Sequence, residues 1–357
     1  MRTTLMSIAV ALLFGSSSAL MAQTEVFRYE ATAETGYGVV YTLPRTEIEI
    51  EATVLEHVYM PGPLRAYAEK YLAQPAGQHQ TKQYSLLSLK IKGIGLPDTT
   101  KRYVVTFDKR TVAPFVKLTQ DNILHSINAG EGPCSETKAQ PLVFAEPDRK
   151  LPSLPREYAQ AGSVNKQAEV AASHLYELRE RLLGVVTGEV EQMPKDGEAM
   201  RLVLDQLKAE ERRTLRLFMG DTTQRTITHT LRISPDGNDI QSRILFRFSP
   251  DWGIVDGDDL SGDPVLLNLK VIERAPELSE KERKKLAKIE GIMYNVPGVA
   301  VVSVSLLGKE LSSERISLTQ AGGMQSLTKK MFNVKDKTGP SVYFDIHSGA
   351  IVSIRQE

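Results

Sequence analysis

Between Glu47 and Val54 the sequence EIEIEATV alternates without a break: Ile48, Ile50, Ala52 and Val54 stand against Glu47, Glu49, Glu51 and Thr53. Successive side chains of a strand point to opposite faces, so a period of two gives one apolar and one acidic face, and the chain must form a sheet covered on one side. Tyr84 to Ile94 (YSLLSLKIKGI) and Arg102 to Phe107 (RYVVTF) show the same pattern. A short helix is expected between these strands. Pro61-Gly62-Pro63 opens it, Leu64, Tyr67, Ala68, Tyr71 and Leu72 share one face, and Pro75 closes it. From Gly130 to Pro155, five prolines (133, 141, 147, 152 and 155) interrupt any continuous helix or central strand, which predicts a long loop or hinge.

The hydrophobic period then changes. Ala168, Ala171, Ala172, Leu175, Leu178, Leu182 and Val185 form one helical stripe over Lys166 to Thr187, with Gly188 placed to end it. A second helix is expected from about Glu198 to Met219, stopped by Gly220-Asp221, so the pair predicts an antiparallel hairpin. Strands resume with Ile227, His229, Leu231 and Ile233, and the Pro235-Asp236-Gly237 turn predicts a hairpin with Ile244, Phe246 and Phe248. Another strand is expected over Pro264 to Ile272, and a charged surface helix or linker over Glu277 to Ile289. The last part, Ile292 to Ile354, predicts four or five short strands punctuated by Gly298, Gly308, Gly322-Gly323 and Gly349. The fold class expected is therefore α+β, mainly β: a β-rich domain over 23–150, a helical hairpin over 160–222 and a second β-rich domain over 223–357. Each β-rich domain is a sandwich or an open barrel.

The N-terminus bears on compartment. Arg2 precedes the apolar run Leu5 to Phe14, and small residues lead to Ala22, the order of a secretory signal over residues 1–22 with cleavage before Gln23. The run is too short to span a bilayer, and no later segment has the length to do so. Export to the periplasm or the outer membrane is the expectation. No cysteine follows the apolar run, so a lipid anchor is not expected. Cys134 is the only cysteine, which excludes an internal disulfide. Lys+Arg and Asp+Glu number 44 each, so no strong field would draw in nucleic acid.

Catalytic motifs mostly dissolve on inspection. Ser135-Glu136-Thr137-Lys138, Ser163-Val164-Asn165 and Lys337-Thr338-Gly339 match the S-x-x-K, S-x-N and K-T-G of penicillin-binding serine enzymes in order. That chemistry needs its serine at the start of a buried helix, whereas Ser135 lies between Pro133 and Pro141. The six histidines show no ligand spacing. His229, on the apolar side of its strand, is expected in the core, and Trp252 and the tyrosines of the first helix are expected in packing. The acidic run from Asp251 to Asp263 is the better candidate site. Asp256, Asp258, Asp259 and Asp263 offer hard oxygens on a glycine-rich loop, the donors that calcium prefers, without the spacing of an EF-hand. A solvated, turn-rich connection accounts for the same residues.

Several stretches resemble an exported bacterial family known as domain of unknown function 4831. They are Val39 to Thr46, Tyr59-Met60-Pro61-Gly62-Pro63 with Tyr67 to Leu72, and Arg181 to Glu189 with Pro194 to Gly197. Leu217 to Gly220, Val255 to Pro264 and Tyr294-Asn295-Val296-Pro297-Gly298 complete the set. The family pattern often carries Arg-Ile-Pro-Gly where this chain has Asn295-Val296-Pro297-Gly298. The resemblance implies export and residence in a Gram-negative envelope, and transfers no catalytic residue. The expected role is a non-catalytic envelope protein that binds other envelope proteins, as an accessory of a periplasmic, outer-membrane or secretion assembly. Calcium or glycan binding at the aspartate loop, with no other cofactor expected, and hydrolysis of an envelope polymer are the alternatives.

Overall fold

A computed structural model describes residues 25–29, 38–106, 116–129, 150–189, 197–288, 291–328 and 340–355. The expected signal segment, 1–22, lies outside the described residues. The protein is α+β and mainly β, with three antiparallel sheets and few helices. No described helix is long and apolar enough to cross a membrane.

The first sheet has the order β1-β3-β2-β6, from β1 (Glu25–Arg28), β3 (Thr81–Thr106), β2 (Gly38–Met60) and β6 (Asp221–Ile233). Strands β2 and β3 pair from Gly38↔Thr106 to Tyr59↔Thr81. The two separate strands expected at 84–94 and 102–107 are one, because Pro97 falls opposite Pro44 at a register shift. A ladder donor is not required at such an irregularity, so the prolines do not break the strand. The alternation in β2 works as expected: Ile48, Ile50, Ala52 and Val54 are buried. The acidic face is matched across the sheet, with Glu49 to Arg232 at 2.9 Å and Glu51 to Lys92 at 2.9 Å. Cross-strand pairs of opposite charge stabilise a solvated sheet face modestly.

The second sheet runs β11-β10-β9-β7-β8, from β11 (Lys309–Thr328), β10 (Gly291–Leu306), β9 (Asp263–Glu273), β7 (Ile240–Ser249) and β8 (Gly253–Val255). It stacks on the first sheet. Ile48, Ile50, Leu89 and Ile91 meet Phe246, Val265, Leu267, Leu269, Val302, Val304 and Leu318 in one apolar core, the interdigitated interior of a β-sandwich.

The hairpin expected across Pro235-Asp236-Gly237 is not formed. Strand β6 pairs with β2, from Ile48↔Ile233 to Met60↔Asp221, while β7 pairs with β8 and β9. The turn carries the chain from one sheet to the other, so Ile233 and Phe246 enter one core from different sheets rather than lining a shared ladder. Asp236 caps the turn by accepting from the N–H of Asn238 at 3.2 Å.

The third sheet is β13-β12-β5-β4, from β13 (Ile351–Arg355), β12 (Ser341–Phe344), β5 (Leu124–Ile127) and β4 (Val116–Leu118). Leu124, Ile127, Val342 and Phe344 pack with Tyr41, Leu43, Tyr103, Ile292 and Met293 from the other two sheets. The expected division at 150 and 223 therefore does not follow the hydrogen bonding, since β6 pairs with β2 and β12 with β5. Among the described residues, the C-terminal stretch forms two long strands and two short ones. Gly322 does not punctuate β11 but sits inside it, where a β-carbon would collide with the Val296 carbonyl of β10. Asn295 joins all this: buried, it donates from Nδ2 to Pro44 O at 2.8 Å and Ser348 O at 3.0 Å.

Four of the five helices form the third packing unit, while Leu286 of the fifth packs on the core shared by the three sheets. After a 3-10 turn at Arg65–Tyr67 come α1 (Ala68–Leu72), α2 (Arg156–Gln160), α3 (Val164–Thr187), α4 (Gly197–Met219) and α5 (Glu280–Ala287). Ser163 caps α3, accepting from the N–H of Lys166 at 3.2 Å, and Gly188 ends it in the left-handed region at φ 79°. Leu64, Ala68 and Leu72 pack with Ala168, Ala171, Leu175 and Phe218. Arg179 reaches Glu211 at 2.8 Å further along, so α3 and α4 run antiparallel as expected. This hairpin is stitched to the first sheet. Leu64 N–H donates to Leu217 O at 2.8 Å, and the Tyr59 hydroxyl donates to Met219 O at 2.8 Å, two carbonyls that the end of α4 leaves without helical partners.

Candidate functional site

The aspartate loop joins β8 to β9. Asp256, Asp258, Asp259 and Asp263 are all exposed. Local turn chemistry takes up part of the loop: Asp259 accepts from the N–H of Ser261 at 2.9 Å, and its own N–H donates to Asp256 O at 3.0 Å. Those backbone and hydroxyl contacts with Ser261 hold the Asp259 carboxyl below the usual range. Arg247 reaches into the loop and donates to Gly257 O at 2.8 Å and Gly262 O at 3.0 Å. A guanidinium therefore already occupies carbonyls that a cation would use. Among the described residues, no three His, Cys, Asp or Glu side chains come together in a way that could hold a metal ion.

The other candidates disperse. Ser163 is a helix cap, and the Asn165 side chain accepts from Lys70 Nζ at 3.0 Å and from the Tyr71 hydroxyl at 3.1 Å. Cys134, Ser135 to Lys138 and Lys337 to Gly339 lie outside the described residues. His229 is not in the core as expected but exposed, because β6 is the edge strand of its sheet. Trp252 is also not packed; it stands 70% exposed on the turn between β7 and β8.

One polar site escaped the sequence reading. Glu56 continues the inward row of Ile48, Ile50, Ala52 and Val54, and is buried at 3% exposure. It is satisfied there by Arg225, directly opposite on β6, and by the Tyr84 hydroxyl at 2.9 Å. The hydrogen bond from Arg225 holds the Glu56 carboxyl below its ordinary value, outweighing the opposing effect of desolvation. The signal was present in the parity of the strand, but a lone Glu at the end of an apolar row is indistinguishable from the row's end. A carboxyl depressed in the folded state adds stability above its unfolded value, near 4.5 for an ordinary Glu, and that stability disappears as the pH falls through the folded value. Melting temperature is therefore expected to drop below that pH more steeply in the parent than in Glu56→Gln. Superimposable pH profiles would remove this assignment.

The remaining feature is the far end of the helical hairpin. The buried stripe of Ala168, Ala171, Leu175 and Leu178 continues in half-buried Leu182 and Val185, and beside it large apolar side chains stand uncovered. Leu183 is 62% exposed, Val186 73% and Leu202 60%. Leu183 and Val186 are three residues apart on α3, hence on one face, and Leu202 lies on the adjoining helix. The charges around them, Glu180 and Arg181 on α3 and Arg201 and Asp205 on α4, are exposed and mixed in sign. These exposed apolar side chains stand among charges of mixed sign, which suits them to bury against another apolar surface.

The class defined by these features is a β-dominated α+β protein, a sandwich extended by a third sheet and carrying a docked helical hairpin. The chain belongs to the family described as a domain of unknown function (DUF4831), whose family model matches residues 37–352. No curated protein and no solved structure matches it.

Proposed function

We propose that this chain is an exported, non-catalytic component of the bacterial envelope that docks onto an apolar groove of another envelope protein through the end of its helical hairpin. The observation that carries this reading is the exposed trio Leu183, Val186 and Leu202 at the end of helices whose near halves are buried. An aliphatic side chain of this size adds roughly 1.5–3 kcal/mol when fully removed from water, and a partner groove would supply that burial. The mixed charges at the rim make affinity insensitive to salt, unlike an interface driven by charge. The order of charge, apolar run and small residues over 1–22 supports export.

The test is crosslinking in cells that express the tagged full-length chain, followed by purification from the envelope fraction. A stoichiometric envelope complex is expected, with the mature chain starting at Gln23. Leu183→Asp combined with Val186→Asp is expected to lose the partner while melting at the parent temperature, since neither side chain is buried. Recovery of the chain alone, or an unchanged yield of partner with the double variant, overturns the proposal.

A further inference from the structure

Residues of α5 line an open cleft of about 470 Å³ together with residues of β1, β3, β10 and β11. That volume falls within the range of ordinary small-molecule sites, roughly 300–1,000 Å³. Three elements bring cations to its rim: Arg28 from β1, Lys101 from β3 and Arg283 from α5. Its floor is soft and apolar, with Met293 and Tyr103 buried and Met324 half-buried beside them.

The state of these groups is informative. Arg283 makes no ion pair or side-chain hydrogen bond among the described residues. On α5 it shares the cleft face with Leu286 and Ala287, three and four residues on, while Glu282 turns back to accept from the Ser279 N–H at 2.8 Å. Arg28 spends one donor on Thr100 O at 2.8 Å, and a guanidinium carries five. Lys101 stands 3.5 Å from Asp98, whose carboxylate is also engaged by the Thr100 hydroxyl at 2.6 Å. Among the described residues, the Tyr103 hydroxyl donates only to the sulfur of Met324, at 3.6 Å. A thioether is a weak acceptor, so that donor is available to a stronger one. The rim thus offers forked donors for a carboxylate or phosphate, and methionines adapt readily to an alkyl chain.

We infer that this cleft binds a single-chain amphiphile with an anionic head, the head held between Arg28, Lys101 and Arg283 and the tail laid over Tyr103, Met293 and Met324. A bare anion would leave the floor uncovered, and a neutral apolar ligand would strip water from the cations without pairing them. The inference is independent of the hairpin and of any protein partner.

Isothermal titration calorimetry of the purified chain tests it, with dodecanoate, dodecyl phosphate, dodecyltrimethylammonium and acetate as probes. One-to-one binding of at least one anionic amphiphile is expected, with the preferred head identifying carboxylate or phosphate as the source. Acetate and the cationic amphiphile are expected to bind at least about tenfold more weakly, because each lacks half of the recognition. Arg283→Glu is expected to weaken the preferred ligand by at least about tenfold, since it replaces a guanidinium by a like charge facing the head. That substitution is on an exposed helix face, and an unchanged melting temperature separates it from unfolding. Equal binding of the cationic amphiphile, an unchanged affinity in Arg283→Glu, or no heat with either anionic amphiphile overturns the inference.

Discussion

Phe218→Ala is expected to destabilise the protein by about 3–5 kcal/mol, the cost of emptying a site that held a fully buried aromatic ring. Phe218 is 0% exposed and sits at the end of α4 among Leu64, Ala68, Ala168, Ala171 and Leu175. Small alanines surround much of the ring, and short side chains on a helix cannot swing in to fill the space, so the upper part of that range applies. The form of the transition matters as much as its position. Met60 pairs with Asp221, and Leu64 N–H is bonded to Leu217 O, so β2 and β6 run into the helical unit without a flexible joint. One cooperative denaturant transition is therefore expected, shifted to lower midpoint with the slope preserved. A new early transition that reports helix loss alone would mean that hairpin and sandwich unfold separately.

Leu267→Ala is expected to cost about 2–5 kcal/mol in the core between the sheets. Leu267 is 0% exposed in the central strand β9 of the second sheet, opposite Val304 on β10, within the core shared with the first sheet. A strand paired on both sides cannot shift to close the cavity without disturbing two ladders. Chemical denaturation of the two variants, followed by far-ultraviolet circular dichroism, should give shifts in the same direction with the same slope. A Leu267→Ala protein as stable as the parent would mean that the two sheets are not packed through this residue.

The two long helices were largely legible. Gly188 and Gly220 fall where they end, and Gly220 adopts φ 80°, a conformation that few other residues accept, whereas the Ser163 cap and α2 were not foreseen. The apolar and acidic faces of β2 were equally plain, because a period of two is a local property. The functional reading transferred less well. The aspartates between Asp256 and Asp263 have the composition of a cation loop, yet Arg247, nine residues before the first of them, fills the loop carbonyls. Nothing in the spacing of Asp and Gly announces an arginine on a neighbouring strand. The cleft under α5 was hidden for the same reason, since Arg28, Lys101 and Arg283 are drawn from distant parts of the chain.

By itself, the sequence determined the two long helices with their ends, the β character of most of the remaining chain, and the apolar face of β2 and of α3. Those properties depend on neighbours along the chain: side-chain periodicity, caps, and turns at Gly, Pro and Asp. The tertiary structure alone decided that β6 joins β2 rather than β7 and that β12 joins β5. Backbone donors and acceptors are the same in every strand, so local chemistry cannot choose a partner. The choice falls to the burial of complementary apolar faces from residues far apart in sequence, and only the packed chain expresses it.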